Sequence, residues 1–226
     1  MLNLDLAEEQ QLLERHVSAE EATKHDMPIR QVLTSGRVLM LSLTYFSFVM
    51  GLYGVSFWLP SLVKASGVSG TLNIGLLSAV PYAAAAVTMV LVGRSSDRYG
   101  ERRWHLALPG VVGAIALCAS VVYAHQTVLA MIALTIGTMG VITTISQFWT
   151  VPPAVLQGAA AAGGIALANS VGSISGVVSP YVIGFLQTST GSTGSGVVGI
   201  AVSMVLGSLL TLTLRRAHVN VFSKRE

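Results

Sequence analysis

The 226-residue chain is apolar and poor in charge: 52% of its residues are hydrophobic, only 10% are charged, and the mean hydropathy is +0.68. An ordinary soluble domain carries roughly a quarter of charged residues. The composition therefore excludes a soluble enzyme, a disordered chain and a disulfide scaffold. The net charge of +3 comes from basic residues at the ends of apolar stretches rather than in a cluster, which excludes a nucleic-acid-binding face.

The first 37 residues are polar, with seven acidic and four basic side chains. Their leucines recur at helical spacing, which predicts a soluble helix followed by a linker broken at Pro28. This segment is not a signal peptide, because a long charged stretch precedes the first apolar run. We assign residues 1–37 to a cytoplasmic N-terminal helix and linker.

Long stretches without charge follow this segment. The 111 residues from Trp104 to Leu214 contain no Asp, Glu, Lys or Arg. Because a bilayer-spanning helix needs about 20 mostly apolar residues, the apolar runs predict an all-α, polytopic membrane protein. Its six predicted spans cover residues 38–62, 74–92, 106–124, 128–149, 160–184 and 197–214. They form one transmembrane domain over 38–214, and residues 215–226 form a tail.

The basic residues lie almost entirely on one side of these six spans. Twelve of the 13 lysines and arginines fall on the side of the two termini, and Lys64 alone falls on the other. Since positive charge marks cytoplasmic segments, we expect both termini in the cytoplasm and the protein in the inner or plasma membrane.

The spans repeat with a period of 91 residues. This offset places the second and third spans on the fifth and sixth, and the Phe57-Trp58 pair on Phe148-Trp149. Each triplet has three spans, so the two triplets cross the membrane in opposite directions. We predict a 3+3 inverted repeat, which is typical of many secondary transporters. An alternative is that evenly spaced spans mimic the period.

The sequence offers no catalytic or metal-binding constellation. The single Cys118 lies in an apolar stretch, and no pair of histidines has the spacing of metal ligands. We expect no catalytic residue, no metal and no cofactor. Tyr53 and Tyr82 lie near the midpoints of their spans, where a tyrosine can offer a ligand both its ring and its hydroxyl. Both are candidate substrate-binding residues, with packed aromatics as the alternative.

A ridge of small residues runs along the fifth span. Gly164, Ala168, Gly172 and Gly176 recur every four residues, which favours close packing against a neighbouring helix.

The segment from Gly93 to Arg103 joins the second and third spans on the cytoplasmic side. Its residues GRSSDRYGERR resemble the signature G-x-x-x-D-[RK]-x-G-[RK]-R-[RK] of the major facilitator superfamily, with Glu101 at the first of the last three basic positions. The resemblance implies a conformational latch on the cytoplasmic side, in which Asp97 pairs with arginines in one state and separates from them in another. The implied latch residues are Gly93, Asp97, Arg98, Gly100, Arg102 and Arg103.

Further segments are similar to the tartrate and phthalate permease branch, the anion:cation symporter family. They are YGVSFWLP at 53–60, GLLSAVPY at 75–82, ERRWH at 101–105, FW at 148–149 and GIALANS at 164–170. Members carry small organic anions, commonly with a proton. The resemblance implies that Asn169 in the fifth span, and Ser146 and Trp149 in the fourth, contact substrate, with a hydrogen bond between helices as the alternative for Asn169.

The resemblance covers the C-terminal half of a twelve-helix fold, from helix seven to helix twelve. It implies a missing N-terminal half as partner, beside the lipid bilayer, a small organic anion and a co-transported proton. No charged side chain lies inside a predicted span, so we expect this chain alone to be incompetent for transport. The alternative is a six-span membrane protein without transport, such as a sensor or a scaffold.

Overall fold

The computed structural model describes residues 34–65, 67–156 and 159–214. Six long helices and one short helix make up these ranges. They are α1 (Gly36–Ala65), α2 (Thr71–Tyr99), α3 (Arg103–Val122), α4 (Thr127–Phe148), α5 (Pro152–Val155), α6 (Ala159–Thr190) and α7 (Thr193–Thr213). Six segments are long and apolar enough to cross a membrane, and α4 and α5 together lie in one of them, Thr127–Val155. This confirms the all-α fold with six spans. The predicted N-terminal helix and the tail lie outside the described residues.

The end of α2 differs from the prediction. The second span was expected to end at residue 92, with Gly93–Arg103 as a loop, but α2 continues to Tyr99. Gly100 ends the helix in the left-handed region at φ 63°, with its N–H directed to the carbonyl of Asp97 at 3.4 Å. A glycine adopts this conformation without steric cost. Gly93, Asp97 and Arg98 are therefore helical, and Gly100–Arg102 forms the short connection to α3.

The contacts between the two triplets of spans, α1–α3 on one side and α4, α6 and α7 on the other, are symmetric. The first helix of each triplet packs against the second and third helices of the other: α1 contacts α6 and α7, and α4 contacts α2 and α3. The two first helices also contact each other, as do the two third helices. Exchange of the triplets preserves this pattern, which supports the predicted inverted repeat.

Burial differs strongly between the helices. In the most apolar 18-residue stretch of each helix, 67% of the residues are buried in α1, but only 17% in α2 and 22% in α6. The central α1 is tied to its neighbours by polar contacts as well. The Ser179 hydroxyl of α6 donates to the carbonyl of Met50 at 2.8 Å, and the Ser203 hydroxyl of α7 donates to the carbonyl of Ser47 at 3.1 Å. The helices α2 and α6 thus form the open sides of the bundle.

Candidate functional site

An aromatic stripe runs along α1 and faces α6. Tyr45 packs on Gly172, and Tyr53 packs on Gly176, where an added Cβ would lie 3.1 Å from the ring. The small-residue ridge of α6 thus receives the two tyrosines. Tyr53, a predicted site residue, is half-buried. Tyr45 was missed by the sequence analysis, although its position eight residues before Tyr53, about 80° around the helix, leaves both on one broad face.

The C-terminal end of α4 joins this stripe. The ring of Phe148 stacks on Tyr45 with the centroids 4.6 Å apart, and the Trp149 ring meets Tyr45 edge-on at 4.8 Å. Phe148 is fully buried, whereas Trp149 is half-buried. Ser146, about one turn before Trp149, is also half-buried. Trp149 therefore lies beside the aromatic stripe, and both residues predicted on α4 keep part of their surface accessible.

Tyr82 reaches the same stripe from α2. Its hydroxyl donates to the Ser56 hydroxyl of α1 at 3.4 Å, and 37% of its surface is exposed. Ser56 lies three residues after Tyr53, on the same side of α1, and the Tyr53 ring stacks on Phe57 at 6.2 Å. Tyr53 and Tyr82 are thus connected through Ser56. The sequence analysis did not identify Ser56 as a site residue.

Asn169 lies on the open side of α6. Its side chain is exposed, as is that of Ser173 one turn later, and the Ser173 hydroxyl donates to the Asn169 carbonyl at 2.9 Å. Asn169 precedes Gly172, the contact point of Tyr45, by about one turn. The amide therefore lies at the edge of the aromatic stripe rather than in direct contact with the other predicted site residues.

The predicted latch residues at the end of α2 divide into packed and exposed positions. Gly93 lies against the buried Gln147 of α4: an added Cβ would be 3.3 Å from its amide nitrogen. Asp97 and Arg98 are exposed. In the part of the chain that the structure describes, Asp97 makes no ion pair. The latch role remains a prediction, with Asp97 in an unpaired state here.

The side chain of Glu101 caps the N-terminus of α3. Its carboxylate accepts the backbone N–H of Trp104 at 2.9 Å and that of His105 at 3.3 Å. It also contacts Nδ1 of His105 at 3.1 Å, and Nε2 of His105 lies 2.9 Å from the Ser95 hydroxyl of α2. An acidic side chain suits the positive end of a helix dipole, which gives a physical reason for glutamate where the signature has a basic residue.

The neighbouring Arg102 binds a different helix. Its guanidinium donates to the backbone carbonyl of Thr150 at 2.7 Å, just beyond the end of α4. Helix ends leave carbonyls without intrahelical partners, and a cation there also complements the helix dipole. The latch segment is therefore connected to the end of α4 that carries Trp149.

The site presents hydroxyls, one exposed amide and aromatic rings, but no charge within the apolar parts of the helices. Such a surface can contact a small solute by hydrogen bonds and ring packing. Among the described residues of the site, no side chain is a candidate for forming or cleaving a covalent bond. Together with the six spans, these features define a multi-pass membrane protein with accessible polar and aromatic side chains on α1, α2, α4 and α6.

Comparison with known proteins identifies the family. The model of the Major Facilitator Superfamily matches residues 6–180. The chain therefore belongs to this superfamily and forms one half of its twelve-helix fold.

Individual relatives have names of transporters rather than enzymes. The quinolone resistance transporter of Acinetobacter baumannii is 35% identical over 208 residues, covering 90% of this chain and 48% of the relative. A protein of Agrobacterium vitis, provisionally named as a tartrate transporter, is 37% identical over 224 residues, covering 96% and 49%. The inner membrane transport protein RhmT of Escherichia coli is 32% identical over 209 residues, covering 92% and 48%. The chain spans about half the length of the relatives it matches.

Proposed function

We propose that the chain is the C-terminal half of a secondary active transporter that moves small organic anions across the inner or plasma membrane. In the intact protein, transport is coupled to a proton. The observation that carries the proposal is that the side chains of five residues keep accessible surface in a bundle of apolar helices. These residues, here called the wall, are Tyr53, Tyr82, Ser146, Trp149 and Asn169. The names of relatives that include tartrate transport support the class of substrate.

The poor burial of α2 and α6 supports a second half as partner. These helices are the least buried of the six spans, and α6 exposes Asn169 and Ser173 among apolar neighbours. Polar side chains within a membrane usually face a protein interior or a water-filled cavity rather than lipid. A second six-helix half against α2 and α6 encloses this polar surface and completes a cavity between the two halves.

Electrostatics argue that this half contributes contacts rather than coupling. Burial of an unpaired carboxylate carries a prohibitive free-energy cost, whereas a neutral hydrogen bond contributes about 1 kcal/mol net. The spans offer hydroxyls, rings and the Asn169 amide but no positive charge to an anion, and no carboxylate to a proton. Charge recognition and proton binding therefore belong to the partner half.

The proposed orientation places both termini and the Gly100–Arg102 connection in the cytoplasm. It rests on the twelve basic residues on that side against Lys64 on the other. A cysteine introduced at position 98, in a chain whose Cys118 is replaced by serine, should resist a membrane-impermeant thiol reagent in intact cells. It should react after the cells are opened. Labelling from outside contradicts the orientation.

Proteoliposomes test the proposed function directly. The 226-residue chain alone should insert but accumulate no tartrate or phthalate in response to a proton gradient. Co-reconstitution with the N-terminal half of the Agrobacterium vitis relative should restore accumulation. Coupled uptake by the chain alone, or none with a functional partner half, contradicts the proposal, and the second result favours a sensor or scaffold.

The same system tests the wall residues by a matched pair of variants on α6. Asn169→Ala should raise KM by about tenfold, because a hydrogen bond to a charged substrate contributes roughly 1.5–3 kcal/mol. Thr188→Ala is the control: Thr188 is exposed on the same helix, and its hydroxyl bonds to the carbonyl of Gly184. Equal KM values for both variants exclude Asn169 from the substrate site.

A further inference from the structure

We propose that Arg102 is a positioning residue for Trp149: its bond to the Thr150 carbonyl holds the end of α4 so that the indole keeps its place in the substrate-facing wall. The inference deepens the proposed function and rests on the assignment of Trp149 to that wall. It gives Arg102 a second role beside that of a latch residue. The effect of this second role is on substrate affinity rather than on the rate of conformational exchange.

The first step of the argument is the local structure at the end of α4. After Phe148 the chain continues in tight turns: the N–H of Thr150 donates to the Gln147 carbonyl at 3.1 Å, and the N–H of Val151 donates to the Phe148 carbonyl at 2.9 Å. Trp149 is the cap residue of the helix and lies within these turns. Turns of this kind at helix ends are less regular than the helix interior. A hydrogen bond from another helix connection therefore restrains the Trp149 backbone more than it would restrain a residue in the helix interior.

The second step is the bond itself. The Arg102 guanidinium donates to the Thr150 carbonyl at 2.7 Å, a short distance that is typical of a bond from a charged donor. Thr150 directly follows Trp149 in the chain. Release of this carbonyl frees the peptide unit between Thr150 and Val151, the second unit after the Cα that carries the indole.

The third step is the fixed direction of Arg102. The backbone of the preceding Glu101 is held by the Ser96 hydroxyl, which donates to its carbonyl at 3.0 Å, and its carboxylate caps α3. Ser96 is buried at the end of α2. Hydrogen bonds thus fix the connection between α2 and α3 at the carbonyl and at the carboxylate of Glu101. They hold the neighbouring Arg102 in place next to α4.

The fourth step links Trp149 to the rest of the wall. The indole contacts Tyr45 at 4.8 Å, and Tyr45 packs on Gly172, about one turn after Asn169. A shift of Trp149 therefore reaches the stripe on α1 and the edge of α6. The contacts of Arg102 with Thr150, of Trp149 with Tyr45 and of Tyr45 with Gly172 therefore link the Gly100–Arg102 connection to the wall.

Transport kinetics in the co-reconstituted halves separate positioning from latching. Arg102→Met should raise KM about fivefold, which corresponds to about 1 kcal/mol, in addition to any fall in Vmax from loss of the latch role. Arg102→Lys should recover most of the affinity, because a lysine can also donate to one carbonyl. The control is Arg94→Met, which removes the same charge from an exposed position of α2. A fall in Vmax without a change in KM leaves Arg102 as a latch residue and overturns the proposal.

Fluorescence of Trp149 tests the positioning without transport. In the purified 226-residue chain with Trp58→Phe and Trp104→Phe, Arg102→Met should increase quenching of Trp149 by iodide, whereas Arg102→Lys and Arg94→Met should not. Unchanged quenching in Arg102→Met overturns the proposal. Trp149→Phe distinguishes the two hypotheses: an unchanged KM removes Trp149 from the substrate wall and contradicts the proposed function, while the quenching result still decides whether Arg102 positions the indole.

Discussion

The α1–α6 pair and the α4–α2 pair occupy equivalent places in the two triplets, yet their contacts differ. Along α1 and α6, tyrosines of one helix rest on glycines of the other, at Gly172 and at Gly176. Between α4 and α2, one glycine contact joins Gly93 to Gln147 near the C-terminal ends of both helices. Toward the other end the two helices border an open apolar groove of about 440 Å³. It is lined by Leu77 and Val80 of α2 and by six residues of α4 between Thr127 and Ile136.

The difference shows that the repeat determines which helices meet but not how tightly they fit. Rings seated on glycines allow little sliding, because close-packed side chains tolerate few alternative arrangements. A pair with one glycine contact and an open groove loses fewer contacts when the helices shift. We therefore expect α2 to move relative to α4 during transport, while α6 stays with α1.

The largest effect should come from breaking the tight pair. At Gly172 an added Cβ would clash with the edge of the Tyr45 ring, so Gly172→Ala should lower the free energy of unfolding by about 1–3 kcal/mol through overpacking. The matched control is Gly184→Ala on the same helix, where no atom lies within 4 Å of an added Cβ. The control should be neutral or stabilised by up to about 1 kcal/mol through helix propensity. Thermal unfolding of both purified variants in detergent is the measurement, and equal midpoints contradict the packing argument.

A smaller effect, on turnover, should follow from a change at the end of the loose pair. Asp97 is exposed at the end of α2, and the latch interpretation gives it an ion pair in another state. Asp97→Asn in the complete transporter should therefore lower turnover by roughly tenfold, equivalent to about 1.4 kcal/mol between the states, with little effect on substrate binding. Asp97→Glu, which keeps the charge, is the control. An uptake rate equal to the original in Asp97→Asn reduces this segment to a topological signal.

The smallest effect should come from the glycine contact of the loose pair. At Gly93 an added Cβ would lie 3.3 Å from the Gln147 amide nitrogen, the end of a flexible side chain. Gly93→Ala should therefore be less stable than Gly75→Ala by under about 1 kcal/mol; no atom lies within 4 Å of an added Cβ at Gly75. A loss comparable to that of Gly172→Ala shows instead that both pairs are tight.

Much of the fold could be predicted from the sequence because the bilayer imposes length and polarity. The charge-free residues from Trp104 to Leu214 accommodate only membrane spans, and the 91-residue period anticipates the symmetric contacts. The end of α2 was predicted wrongly, because the charged residues after Gly93 resemble a loop in composition. In fact the left-handed Gly100 sets the end of the helix, and charged side chains at a helix end can extend into water.

The site was predicted less completely, because its geometry depends on pairs of helices. Tyr53 and Tyr82 were chosen by depth, but no pattern within one span shows that Ser56 joins them. Glu101 was noted as a departure from a basic position, and its cap on α3 becomes visible only with the helix boundary. The bond from Arg102 to Thr150 joins residues 48 positions apart, which no local spacing predicts.

The exposed amide of Asn169 has a consequence for the life of the chain in the cell. A copy without a partner half presents this amide and the Ser173 hydroxyl to acyl chains, where polar groups are poorly accommodated. In the cell, chaperones and proteases act continuously on poorly stabilised chains. We therefore expect the half-life of the chain to depend on assembly: degradation should be fast in isolation and slow once a partner half covers α6.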